Sequence, residues 1–196
     1  MATLLTPTTE LEAVNVCLAN IGESPVSTIQ GDIPVDAALA RDLVRQETRA
    51  IQLYGMYWNT EIDYDLVPNV ENNLVLPANI LTIDTTGDDK GKDLVARGRL
   101  MYDRRNHTYN FDTKVRVNMV VALSFEETPE SCRRYVAIRS ARIYQERVMG
   151  SAAVSSFNTA DERAAKALLL AENMEVEDQN MLTGNRAVAR ILVRNN

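Results

Sequence analysis

Two pairs of carboxylates are the residues of this chain whose type and spacing best suit chemistry. Asp63 and Asp65 lie two apart in an alternating segment, and Glu126 and Glu127 are adjacent just before a Thr-Pro pair. Hydrolysis of a glycosidic bond uses such a pair, with one carboxyl kept protonated as general acid and the other ionised as base or nucleophile. These four are the candidate catalytic residues. Because Asp and Glu make up 27 of 196 residues, neighbouring acids also arise from composition alone. Other catalytic patterns are missing. The single histidine, His107, falls in a polar loop, and no nucleophile elbow precedes it. The stretch from Gly87 to Lys92 has one residue too few between its glycines for a phosphate loop, and Asp93 stands where Ser or Thr would meet magnesium. Asp84, Asp88 and Asp89 lack the register of a calcium loop. Cys17 and Cys132 have no Cys or His at ligand spacing, so they read as free thiols buried in helices. Neither a metal nor a cofactor is expected.

The net charge is −6, which argues against a protein that wraps its outer surface in nucleic acid. Lys and Arg nevertheless concentrate between Lys90 and Arg147. Either they are solvated faces paired with nearby acids, or they form a basic surface that meets an acidic partner. No apolar run approaches the roughly 18 residues of a membrane span. The first residues lack the basic and apolar regions of a signal peptide, so the chain is expected to stay in the cytosol where it is made.

The elements that must position these residues follow from periodicity. Thr9 and Glu12 stand at capping-box spacing, Leu11, Val14, Leu18 and Ile21 share a helical face, and Gly22 closes it, giving a helix over about 9–22. Pro25 then imposes extended geometry on Ser24. A second helix is predicted over about 36–54, with Leu39, Leu43, Ala50 and Tyr54 on one stripe and Glu47 as its polar intruder. From Glu61 to Leu66 the period becomes two. Short apolar runs at 74–76 and 80–83, a turn at 85–91 and a tight pair about Gly98 continue a β-rich region over about 60–126. The clearest strand is 114–125, alternating without a break. Thr128 as cap and Pro129 at the first helical position open a helix to about 150, apolar on more than one face and expected to be covered from several sides, a second copy among them. Residues 150–158 read as a small-residue linker. The spacing of Thr159 and Glu162 predicts the start of a last helix to about 182. The tail 186–196 alternates weakly between Arg and apolar residues and reads equally as strand, helix or a segment ordered by a partner. The resulting class is α+β: a bundle of terminal helices with a central, mostly antiparallel sheet. The domain division expected is 1–58 with 127–196 as helical, and 59–126 as β-rich.

The first block carries a specific pattern: Asn15, Leu18, Ile21, Gly22, Glu23, Pro25 and Val26. It resembles the tail tubular protein A family of T7-like, short-tailed bacteriophages. The likeness continues through Arg41 to Gln52 and Trp58-Asn59-Thr60, then Tyr102-Asp103-Arg104, Phe111-Asp112 and Val115 to Met119. It extends to Pro129, Glu130, Arg133 and Tyr135, and to Asn180, Met181, Leu182 and Gly184. It departs at 186–196.

The resemblance implies a structural virion protein of the tail neck, assembled in the host bacterial cytoplasm. Family members form a ring of twelve subunits that joins the portal to the tubular nozzle protein. The ring helps retain the packaged DNA, passes DNA through its lumen on ejection without sequence-specific binding, and lies where tail fibres attach. No catalytic residues come with the family, and no membrane insertion is implied. An acidic wall repeated around a ring would repel the DNA backbone and let it slide. The alternative reading is a tail component that also hydrolyses host polysaccharide through Asp63, Asp65, Glu126 or Glu127. A weaker third is a nucleic-acid-binding module built on the basic segment.

Overall fold

A computed structural model describes residues 6–150 and 152–184; the tail at 186–196 lies outside the described residues. The protein is α+β, with four helices and a mostly antiparallel sheet region. It divides into two compact units. One is helical, running to Thr48 and resuming at Ser124, and the other is the sheet unit Arg49–Leu123.

In the helical unit, α1 (Glu10–Asn20) starts from the capping box anticipated above: the Thr9 hydroxyl accepts from the Glu12 N–H, and the Glu12 carboxylate accepts from the Thr9 N–H. Its buried side is Ala13, Val14, Cys17 and Leu18, while Leu11 and Ile21 are only half-buried. Asn15 holds the extended exit. Its Nδ2 donates to the Val26 carbonyl at 3.0 Å and its Oδ1 accepts from the Val26 N–H at 2.8 Å, so one side chain does the work of a strand neighbour. This ties together two residues of the block that carries the family pattern.

Helix α2 (Val35–Gln52) departs from the stripe expected for it. Ala37, Ala40, Leu43, Val44, Glu47 and Thr48 are buried, whereas Leu39, Ala50 and Tyr54 are exposed. Small alanines and Glu47, not the larger Leu39, turn inward, and Glu47 finds Arg139 there. Helix α3 (Glu130–Met149) begins one residue later than expected. Pro129 is its cap, and the Thr128 hydroxyl donates instead to the Phe125 carbonyl. Gly150, at φ 61, closes it in the left-handed conformation.

Helix α3 is the axis of the unit, flanked by α1 and by α4 (Ala152–Gly184). Both apolar rows foreseen for it are largely buried: Cys132 and Val136 on one, Ala137, Ala141 and Tyr144 on the other. Helices of the same chain cover these buried residues, while Ile143 is half-buried and Val148 exposed. The Tyr144 hydroxyl reaches α2, donating to the Asp36 carbonyl at 3.0 Å. The expected linker at 150–158 and helix start at 159 are corrected: α4 is one helix of 33 residues from Ala152. Residues 151–158 contain no Pro or Gly to stop it, and Thr159 falls inside the helix rather than at a cap.

In the sheet unit, β1 (Thr60–Leu66), β5 (Val115–Val121) and β2 (Ile80–Thr85) form an antiparallel sheet in the order β1-β5-β2. A separate hairpin pairs β3 (Leu94–Arg97) with β4 (Leu100–Asp103) around Gly98. Val115 and Val117 of β5 pack with Leu66, Leu74, Leu76, Met101 and Phe111 into the core of this unit. The strand expected over 114–125 ends at Val121. Beyond it two buried side-chain amides replace the ladder. Gln52, fully buried, donates to the Leu123 carbonyl at 3.0 Å and accepts from its N–H at 2.7 Å. Asn59 donates to the carbonyls of Gln52 and Val121 at 3.0 Å each and accepts from the Met56 N–H at 2.8 Å.

Candidate functional site

The candidate carboxylates lie in two settings, Asp63 and Asp65 in β1 and Glu126 and Glu127 in a short 3₁₀ turn before α3. Asp65 lies in β1 opposite Arg116 and binds Lys114 at 2.6 Å and Arg116 at 3.5 Å. The hydrogen bond from Lys114, helped by Arg116, holds its carboxyl below the usual range. Asp63 is exposed at an irregularity. The register shifts between Glu61 and Tyr64, Asp63 adopts φ 54, and its N–H donates to the Asn118 side chain at 3.0 Å. Glu127 closes a short 3₁₀ turn, Phe125–Glu127, by accepting from the N–H and hydroxyl of Ser124 at 2.8 Å each. Those bonds lower its pKa. Glu126 accepts from the Glu10 N–H, and its own carbonyl takes a guanidinium hydrogen bond from Arg133. Asp65 and Glu127 are thus held ionised, the state of a base or a structural anchor.

The most organised electrostatic feature is one that sequence reasoning noticed only through Glu47. A chain of ion pairs runs Glu47–Arg139–Glu162–Arg142–Glu146, joining α2, α3 and α4. Arg139 binds Glu47 and Glu162 at 2.7 Å each, and Arg142 binds Glu146 at 2.7 Å and Glu162. Burial opposes the charge on Glu162, but hydrogen bonds from Arg142 and Arg139 outweigh it and keep the carboxyl below its ordinary range. Burial likewise opposes the charge on Arg139, and its two carboxylate partners reverse that and raise its pKa. Beside this chain is an open cleft of about 390 Å³, lined by Tyr135, Thr159, Arg163 and Lys166 as well as Arg139, Arg142 and Glu162. Arg139 and Arg142 are already engaged by carboxylates there, so the cluster reads as a clamp between helices.

The basic segment is largely absorbed in the same way. Lys92 pairs with Asp89 and Arg104 with Asp93, and Arg133 binds the carbonyls of Thr8 and Thr128. Arg97 instead lies over the Tyr102 ring, 3.6 Å from its centroid. Tyr102 contacts Tyr109 at 4.8 Å between centroids, and its hydroxyl lies 3.5 Å from His107 Nδ1. This stack sits on the exposed side of the β3–β4 hairpin.

Cys17 and Cys132 are free and buried, and burial pushes their thiols up to about 12 and about 11. Among the described residues no group of His, Cys, Asp and Glu is placed to hold a metal ion, and no helix is long and apolar enough to cross a membrane.

The chain belongs to the tail tubular protein family, whose model matches residues 11–179, and is accordingly a structural component of a bacteriophage tail. It is similar to "Tail tubular protein A" of Klebsiella phage KP34, 29% identical over 186 residues, which span 94% of this chain and 96% of that protein.

Proposed function

We propose that this chain is the ring-forming adaptor of the tail neck, joining the portal to the tubular nozzle protein as a ring of twelve copies. The likeness to tail tubular protein A over 94% of the chain carries this reading. In the host cytoplasm the subunits assemble on the portal, help retain the packaged genome, and provide part of the ejection channel and of the region where tail fibres attach. The net charge of −6 per copy, multiplied around a ring, supports a wall along which DNA slides, because like charge opposes backbone contact. The ion-pair clamp supports a subunit that holds its shape while neighbours bear on it.

Gold-labelled antibody against this chain, applied to intact and to disrupted virions, tests the reading. Label at the neck between capsid and tail tip is the expected result, together with twelve copies per particle by quantitative mass spectrometry. Label confined to the fibres or to the distal tip, or none on disrupted tails, overturns it.

A further inference from the structure

The sheet unit leaves two surfaces uncovered, and they are opposite in character. The first is the outer edge of β1. In the order β1-β5-β2, one side of β1 has no partner strand among the described residues. Its Ile62 is 72% exposed and Tyr64 44%, and Val67 and Val70 beyond it are exposed too. Apolar side chains on a free edge invite association. The carboxylates of Glu61 and Asp63 alongside have no cationic partner among the described residues, unlike Asp65, which Lys114 and Arg116 occupy. The irregularity at Ile62–Asp63 interrupts the run of backbone donors and acceptors, so this edge is poorly suited to adding a strand and better suited to side-chain contacts.

The second surface is the β3–β4 hairpin. It packs beside β2, the edge of the sheet opposite β1. It presents Arg97 stacked on Tyr102, Tyr109 beside them, and the exposed Arg105, whose charge also helps hold the Asp103 carboxyl below its usual range. Arg and Tyr are the side chains that most often anchor protein contacts.

We propose that the β1 edge of one copy docks against the β3–β4 hairpin of the next, and that this is the lateral contact of the assembly. The proposal rests on the ring reading above. Glu61 and Asp63 face Arg97 and Arg105, while Ile62 and Tyr64 cover the tyrosine pair. Two different surfaces on one unit make a head-to-tail contact, the kind that repeats and closes into a ring. A second copy suits the hairpin better than DNA does. The complementary acidic and apolar surface is on the same chain, and Arg97 already occupies a face of Tyr102 where a base would stack.

The test is disulfide trapping in assembled particles. Virions are grown on cells supplying the full chain as Ile62→Cys, Tyr109→Cys or the double variant; the native cysteines are buried. After mild oxidation, non-reducing gels of the double variant should show a ladder of covalent multimers, and each single variant none. Incorporation of the double variant without a ladder overturns the contact and leaves the ring reading standing. Particles that incorporate no copy of even the wild-type chain overturn the ring reading and the contact with it. A second experiment does not depend on cysteine geometry. A Glu61→Arg/Ile62→Arg variant and an Arg97→Glu/Arg105→Glu variant should each fail to join into multimers on portal-bearing capsids. Mixed, they should join again into multimers in which the two variants alternate, because the reversed edge of one meets the reversed hairpin of the other and the remaining pair of surfaces is native. Full multimers from either variant alone overturn the proposal, as does hairpin-dependent DNA retention at low salt without a ladder, which makes the hairpin a DNA contact.

Discussion

The helical unit and the sheet unit handle charge in opposite ways. In the first, guanidiniums and carboxylates are turned inward on one another: Glu162 bridges Arg139 and Arg142, and Arg139 reaches on to Glu47. In the second, the interior is joined by neutral amides at Gln52 and Asn59, while Glu61, Asp63, Arg97 and Arg105 are left outside. Buried polar groups are costly unless their partners are present, and the ion-paired side chains of one unit and the two amides of the other find theirs by different means. The contrast teaches where to look for assembly. Charge already matched within the chain holds the subunit together, and charge left unmatched at its surface is available to a neighbour.

The largest way to break this comparison is at Asn59. Asn59→Ala removes hydrogen bonds to the carbonyls of Gln52 and Val121 and to the Met56 N–H, leaving buried backbone groups unpaired. A loss of about 3 kcal/mol is expected by denaturant titration. Next is Glu162→Ala, which strands two half-buried guanidiniums that keep their remaining partners, Glu47 and Glu146. About 2 kcal/mol is expected. The same residue gives the helical unit its acid sensitivity. The Glu162 carboxyl titrates lower folded than unfolded, so its contribution is complete above the unfolded value of about 4.3 and is lost as pH falls through the folded one. The Glu162→Gln variant should therefore flatten the fall in stability below about pH 4.3. A smaller effect is expected of Gly55→Ala, about 1 to 2 kcal/mol. Gly55 has φ 67, and an added Cβ would meet Val120 Cγ2 at 3.1 Å. Smallest of all is Ile62→Thr, within about 0.5 kcal/mol for a side chain so exposed. A large destabilisation there would mean that β1's edge belongs to the fold and not to its surroundings.

Much of the fold is legible because it is local. The Thr9–Glu12 capping box, the β3–β4 turn at Gly98 and the two apolar rows of α3 are all set by residues within a few positions of one another. What escapes sequence reasoning is what depends on distance along the chain. Asn59 and Leu123 read as ordinary residues, and the Gln52–Leu123 bonds join positions 71 apart. The alternation from Glu61 to Leu66 is regular in sequence, yet the strand bulges where Asn118 offers its side chain to the Asp63 N–H. Glu47 did signal itself, as a carboxylate on an apolar stripe, but Arg139 lies 92 residues on and only the packing of α2 against α3 joins them. Thr159 and Glu162 fit a cap pattern equally well as a helix start or as mid-helix residues. Glu162 is committed to the arginines of α3 instead.

The two thiols carry a consequence for the life of the particle. A tail component leaves a reducing cell and meets air and oxidants with no means of repair. Cys17 and Cys132 are fully enclosed and kept protonated, and it is the thiolate that oxidises. These two thiols should therefore oxidise slowly outside the host, and neither is exposed to cross-link one particle to the next.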